Sequence, residues 1–391
     1  MNIPQLRFPE FQGVWEKHNL GEIASFSKGK GISKADIVED GATECIRYGE
    51  LYTTYGETIE EVKSKTNIDV DDLVFSEAND VIIPASGETQ IDISTASCVL
   101  RGGIALGGDL NIIKTDNNGV FLSYYLNNKK KLEIARLAQG ISVVHLYASQ
   151  LSLLELNLPT KEEQDKIALF VRSTDEKIQA LKKKHSLLEQ YKKGVMQKLF
   201  SQELRFKDES GNEFPEWEEK QVKDLFKVTR GDVLAMSLVS DEIENDHIYP
   251  VYSSQTKNRG LAGYYNEYLF EDAITWTTDG AGAGDVNFRE GKFYCTNVCG
   301  VLLSDEGYAN LFIAELLNSV SRKYVSYVGN PKLMNNVMAE ISIIIPVSVE
   351  EQQKISNFLK SLNVRIKQLE IEISKIENWK KGLLQKMFFK E

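Results

Sequence analysis

Over its 391 residues the chain has only four cysteines and four histidines. No two cysteines form a Cys-x-x-Cys pair, and His18, His145, His185 and His247 stand singly, so no zinc-ligand run and no nucleophile–base set emerges. Cys295 and Cys299 fall in a strand-like run, and with Cys45 and Cys98 they read as buried reduced thiols rather than zinc ligands or a disulfide. Walker A, His-Glu-x-x-His and Gly-x-Ser-x-Gly sequences are missing. Gly280-Ala-Gly-Ala-Gly284 follows a strand, but its glycine spacing is not that of a dinucleotide loop and strand-like residues, not a helix, come next. No apolar run approaches the roughly 20 residues that a membrane helix requires, nor is there a signal-peptide stretch at the start, so a cytoplasmic protein is expected. Positive charge is not in excess either: the net charge is −11. What remains, 42% hydrophobic and 26% charged, is an ordinary globular composition long enough for two or three domains.

What the chain does contain is itself, twice. Tyr191-Lys-Lys-Gly-Val-Met-Gln-Lys-Leu-Phe200 returns 188 residues later as Trp379-Lys-Lys-Gly-Leu-Leu-Gln-Lys-Met-Phe388, and Glu162-Glu-Gln-Asp-Lys-Ile167 returns at that offset as Glu350-Glu-Gln-Gln-Lys-Ile355. Leu6-Arg7-Phe8 likewise matches Leu204-Arg205-Phe206, and the stretch from Trp15 to Gly29 can be laid on that from Trp217 to Gly231. Between these paired ends lie two fillings, 21–158 and 222–345, that barely resemble each other. A constant frame with variable contents suggests one scaffold presenting two recognition surfaces.

The repeated ends carry a heptad stripe. Ile167, Val171, Thr174, Ile178, Leu181, His185, Leu188, Lys192, Val195 and Leu199 alternate three- and four-residue steps, and Ile355, Leu359, Leu362, Ile366, Leu369, Ile373, Ile376, Lys380, Leu383 and Met387 fill the same steps in the second copy. Each helix should run about 40 residues, roughly 60 Å. So narrow a stripe has little reason to be stable alone, which makes the other copy the expected partner; periodicity by itself also fits core helices of a bundle. Residues 202–216 read as a polar linker, and Pro159 and Pro346 close the strands before each helix. The expected fold is α+β: two domains of similar topology separated by two long antiparallel coiled-coil helices, with an internal pseudo-two-fold. The expected segments are 1–158, a helix at 159–202, a linker and second domain at 203–346, and a helix at 347–391.

Within the fillings, residues 80–84 and 104–114 read as strands and 119–138 as helical. In the second, 273–277 reads as a strand, followed by a glycine turn, strands over 286–303 and a helix over 308–320. Asn330-Pro331-Lys332 echoes the Asn-Pro-Pro-aromatic motif of adenine methyltransferases but lacks its second proline and aromatic ring. Nothing in either filling looks built for catalysis.

Taken together, the doubled helices, the Tyr/Trp-Lys-Lys-Gly-x-x-Gln-Lys-Leu/Met-Phe box, the Leu-Arg-Phe starts with Trp15 and Trp217, and Gly-x-x-Asn-Phe-Arg-Glu-Gly-Lys-Phe at 284–293 resemble the specificity subunit of type I restriction-modification enzymes over almost the whole chain. That resemblance implies two target-recognition domains, each reading one half of a split, asymmetric double-stranded DNA site. It implies docking of two modification (methyltransferase) subunits, recruitment of restriction subunits that translocate and cleave, and no catalysis by this chain. S-adenosylmethionine, ATP and Mg would belong to those partners. A coiled-coil adaptor that joins two proteins without touching DNA is the competing reading.

Charge bears on how DNA would be held. The helix over 161–200 carries ten Lys/Arg against six Asp/Glu, so the negative charge falls on the domains, unlike the basic footprint of an autonomous DNA binder. Phosphate contacts should then be local: Lys28, Lys30, Arg101 and Lys114 in the first domain, and Arg230, Lys257, Arg259, Arg289 and Lys332 in the second. Base reading requires donors and acceptors on loops, which Ser86, Thr89 and Gln90 offer in one filling and Ser253, Ser254, Gln255, Lys257, Asn258 and Arg259 in the other. Tyr48, Tyr147 and Tyr264 are candidates for sugar or phosphate. Each of these also reads as a plain exposed polar residue.

Overall fold

A computed structural model describes residues 4–140 and 143–388. The chain divides into two compact units, residues 1–183 with 371–391, and residues 184–370. Each unit therefore combines one filling with the start of one long helix and the end of the other.

The long helices span Lys161–Phe200 and Val349–Met387. Acidic Glu162–Glu163 and Glu350–Glu351 occupy their first turns, where the helix dipole favours negative charge. Both stripes are buried or half-buried at every expected position, with neighbours such as Leu169 and Leu187 exposed. In the first unit Asp175 pairs with Lys380 and Lys182 with Glu377, so the segments run antiparallel. In the second, His185 Nε2 lies 3.4 Å from Glu370. The expectation that the stripes pair chiefly with each other requires correction at their ends. Ile167, Val171, Leu384, Met387 and Phe388 are absorbed into the first domain's core, and Val195, Leu199, Ile355 and Leu359 into the second's. A helix end beside a domain buries more apolar area against that domain's core than a second narrow stripe offers, so the core takes it.

The frame contacts are duplicated almost one for one. In the first unit Glu16–Asn19 pairs antiparallel with Glu155–Leu158; in the second Glu218–Gln221 pairs with Ser342–Ile345, in the same register. Trp15 meets Phe121 edge-on at 5.9 Å, as Trp217 meets Phe312 at 5.6 Å. Phe8 packs on Phe170 at 5.7 Å, and Phe206 on Phe358 at 5.8 Å. Arg7 pairs with the fully buried Glu163, and Arg205 with Glu351. Asn118 and Asn310 each cap a helix, accepting from Phe121 and Ile313, and both are bonded to the long helix through Gln164 or Gln352. Leu-Arg-Phe and the Glu-Glu-Gln box thus repeat because each is half of a contact.

The two sheets share their order as well. In the first unit, Ala24–Lys28, Leu110–Thr115, Val81–Pro84, Ser97–Val99 and Thr58–Ile59 lie side by side. Their counterparts are Lys227–Arg230, Cys299–Leu303, Phe270–Thr277, Val286–Cys295 and Tyr249–Tyr252. All neighbours are antiparallel except the last pair of each sheet, which is parallel. One side of each sheet is covered by the capped helix, Gly119–Tyr125 or Leu311–Ser321. The additions differ: a three-stranded sheet around Thr43–Ile46 in the first unit, and the strand Leu261–Tyr265 in the second. Both α+β domains thus match the topology expected from sequence. Among the described residues no helix is long and apolar enough to cross a membrane.

Candidate nucleic-acid interface

In the second unit the edge strand of the larger sheet, Lys227–Arg230, passes into Gly231. A Cβ there would overlap the Cys295 carbonyl oxygen, as one at the matching Gly29 would overlap that of Gly107, so both glycines are required by close backbone approach. Beside this end, residues 253–260 leave the strand Tyr249–Tyr252. Ser253 Oγ accepts from Thr296 Oγ1 at 3.1 Å, and Ser253 N donates to Gly260 O at 2.9 Å, which closes the loop. Gln255, Thr256, Lys257, Asn258 and Arg259 are exposed, though the Gln255 amide turns back to donate to the Leu261 carbonyl, and Ser254 is half-buried. The glycine turn at 280–284 abuts the loop: a Cβ on Gly282 would lie 3.5 Å from Thr256. Lys332, exposed, pairs through its backbone with Asp279 just before that turn. Arg230, the 253–259 loop and Lys332 thus gather around one end of the sheet. The glycine turn leads into the strand Val286–Cys295, so no helix amino end stands there for a phosphate.

Two members of the expected set do not join this group as exposed contacts. Arg289 is only 8% exposed; burial pulls its pKa below the usual arginine range, and its guanidinium is turned inward. That is a correction, and the physical reason is the strand's alternation, which points position 289 at Thr275 inside the domain. Tyr264 is half-buried on the outer strand, its backbone paired with Ser240 and its place toward the strand end away from the loop.

The first unit places Lys28 at the corresponding strand end, exposed and opposite Asn111, whose amide donates to Leu146 O at 2.9 Å. Ser86 lies opposite His145 in a short ladder and is buried, so its hydroxyl faces no solvent. Beyond it, Thr89 and Gln90 are exposed: Thr89 Oγ1 donates to Asp92 at 2.6 Å, and Gln90 reaches the Ala138 carbonyl at 3.5 Å. Tyr147, 46% exposed, stacks on His145 at 6.3 Å. Tyr48 is half-buried near this loop, since Tyr52 has its pKa raised by burial first and then by Tyr48, Asp92 and Glu88. Three basic residues lie apart, each held by a carboxylate: Lys30 by Asp72 at 2.9 Å, Arg101 by Glu44, and Lys114 by Glu77 at 2.5 Å. The hydrogen bond to Glu77 raises the Lys114 pKa.

A family model described as the type I restriction modification DNA specificity domain matches residues 13–190 and again residues 215–378. The chain belongs to this family. Among specificity-subunit relatives, a Mycoplasma pneumoniae protein described as type I specificity subunit S.MpnORF507P is 39% identical over 158 residues, 40% of this chain and 42% of that relative. The match therefore spans less than half of that relative's length. A second, S.MpnORF365P of the same organism, is 32% identical over 223 residues, 56% of this chain and 78% of the relative. Among solved structures, the type I restriction-modification S subunit from M. genitalium aligns over 99% of both chains with a TM-score of 0.71 at 19% identity, a likeness of fold.

Sequence reasoning missed three features of this region. His145 stacks under Tyr147, Thr256 packs against the glycine turn, and Arg289 faces inward. The first joins residues two apart in one segment, whereas the second and third depend on segments brought together by folding. Among the described residues no group of three or more His, Cys, Asp or Glu is placed to hold a metal.

Proposed function

We propose that this chain is the DNA sequence-specificity subunit of a type I restriction-modification complex. Each domain reads one half of a bipartite, asymmetric DNA site, and the long helices set the spacing and dock two modification subunits. One observation carries most of this reading: the frame repeats contact for contact, while the loops it holds differ in length and chemistry. A duplicated mount with unlike loops is what an asymmetric split site calls for, because each half-site meets the same scaffold but different donors and acceptors. In the second domain Gln255, Asn258 and Arg259 are the residue types whose side chains pair with adenine and guanine edges in the major groove. In the first, Thr89 and Gln90 stand in that role, with Lys28 and Tyr147 toward the phosphates. S-adenosylmethionine, ATP and Mg are carried by the modification and restriction subunits, so this chain contributes recognition rather than bond chemistry. Its net charge of −11 implies that much of the phosphate affinity also comes from them.

The deciding experiment maps methylated sites in DNA from cells expressing the whole system. Expected is a two-part motif with a gap of fixed length. Insertion of one helical turn into each long helix lengthens the gap and leaves both half-sites unchanged. A complex that binds the modification subunits yet shows no sequence-specific DNA binding would instead establish the adaptor reading.

A further inference from the structure

Arg289 is buried, yet its partners are a carbonyl, a hydroxyl and a ring rather than a carboxylate. Its Nε donates to Thr275 Oγ1 at 2.9 Å, its Nη2 donates to the Arg259 carbonyl at 2.7 Å, and the guanidinium lies 3.6 Å from the centre of the Tyr252 ring. Tyr252 is the last residue before the 253–260 loop, and Arg259 stands at its far side. One side chain therefore ties both ends of the loop to the sheet.

The loop requires such a tie. Asn258 and Arg259 both take left-handed backbone, with φ of 49° and 52°, and Gly260 follows at 88°. Successive residues with a Cβ enter that region at a cost, and they persist there only where surrounding contacts hold them. The Arg259 carbonyl is fixed by Arg289, and Gly260 could not be replaced, since a Cβ would lie 2.9 Å from Ser253 O. The consequence of this turn is that Asn258 and Arg259 point outward side by side.

We infer that Arg289 is a positioning residue for specificity: from inside the sheet it holds the left-handed Asn258–Arg259 turn, and so sets the direction from which the second domain presents its base-reading side chains. The inference rests on the proposed DNA reading by this loop, and nothing comparable is assigned to the first domain. Arginine suits the task because a planar fork can stack on Tyr252 while donating along two directions, which a lysine ammonium cannot do.

The test uses the assembled complex with its modification subunits and full-length chain, comparing methylation rates on duplexes altered by one base in either half-site. Arg289→Lys and Arg289→Met should each lower discrimination at the second half-site about tenfold or more, and leave the first half-site unchanged. A general loss of stability would instead lower methylation of every duplex alike, with no difference between the two half-sites. Thermal unfolding of Arg289→Lys close to that of the unaltered chain keeps the comparison valid even if Arg289→Met fails to fold. Retained discrimination in Arg289→Lys, or equal losses at both half-sites, overturns the positioning role. Arg259→Ala separates the two levels: if it leaves the second half-site intact, the loop's reading of bases falls; if it does not, and both Arg289 variants behave as wild type, only the positioning falls.

Discussion

Arg7 Nε and Nη2 donate to the two carboxylate oxygens of Glu163, each at 2.7 Å, and Glu163 is wholly buried. Arg205 repeats the fork on Glu351 at 3.2 and 3.1 Å, with Glu351 equally buried. These pairs fasten the segment before each domain to the first turn of a long helix. Removing one partner leaves a buried carboxylate uncompensated, which costs about 3–5 kcal/mol. Arg7→Met and Arg205→Met should therefore each lower the unfolding free energy from a denaturant melt by that order, with a lower midpoint. A change within error for either would contradict the assigned role.

Asn118 and Asn310 occupy matched caps but differ in surroundings. Asn118 turns its amide to Asp165 at the surface, whereas Asn310, buried, donates to Gln352 and accepts from Ser356. Loss of the cap alone costs about 1 kcal/mol, and each buried partner left unsatisfied adds about 1–3 kcal/mol. Asn310→Ala should thus destabilise at least about three times as much as Asn118→Ala in chemical denaturation, and equal effects would refute the comparison.

The exposed loop side chains should act on one half-site each. Arg259→Ala is expected to relax or weaken the second half of the methylated motif by about 1–3 kcal/mol and to leave the first unchanged. Paired Thr89→Ala and Gln90→Ala substitutions should do the reverse. Methylation-site sequencing reads both outcomes; a uniform loss across the motif would point instead to a nonspecific or structural contribution.

All four cysteines are buried and free. Burial pushes the Cys45 thiol up to about 11 and that of Cys98 to about 12, so almost no thiolate of either exists at pH 8. In native protein treated with a thiol-reactive dye at pH 8, Cys45 and Cys98 should label slowly or not at all, and in denaturant both should label fully. Rapid labelling of Cys45 or Cys98 in the folded state would show that these sites open.

The candidate interface was partly legible in advance. A loop rich in Ser, Gln, Asn and Arg between strands marked 255–259 as exposed, because turn chemistry is local, while Ser253 and Ser254 are half-buried. Exposure of individual residues was less legible. Ser86 sits in a ladder opposite His145, 59 residues away, and Arg289 donates to Thr275, 14 residues away, so the facing of both was set by partners distant in sequence. Charge alone also gave no sign of the ion pairs of Arg101 and Lys114, since Glu44 and Glu77 approach them only through folding.

By itself the sequence determined the duplication, the two long helices and the stripe along each. All three are written as periodicities, and a period survives in the string because every repeat of it answers the same packing need. Tertiary structure alone decided that each stripe's ends merge with domain cores, that Leu-Arg-Phe repeats in order to grip Glu163 and Glu351, and that Arg289 looks inward to hold a left-handed turn. Those outcomes depend on pairs of residues whose meeting is fixed by buried area and hydrogen-bond geometry across many intervening positions, and no local pattern encodes a distance of that kind.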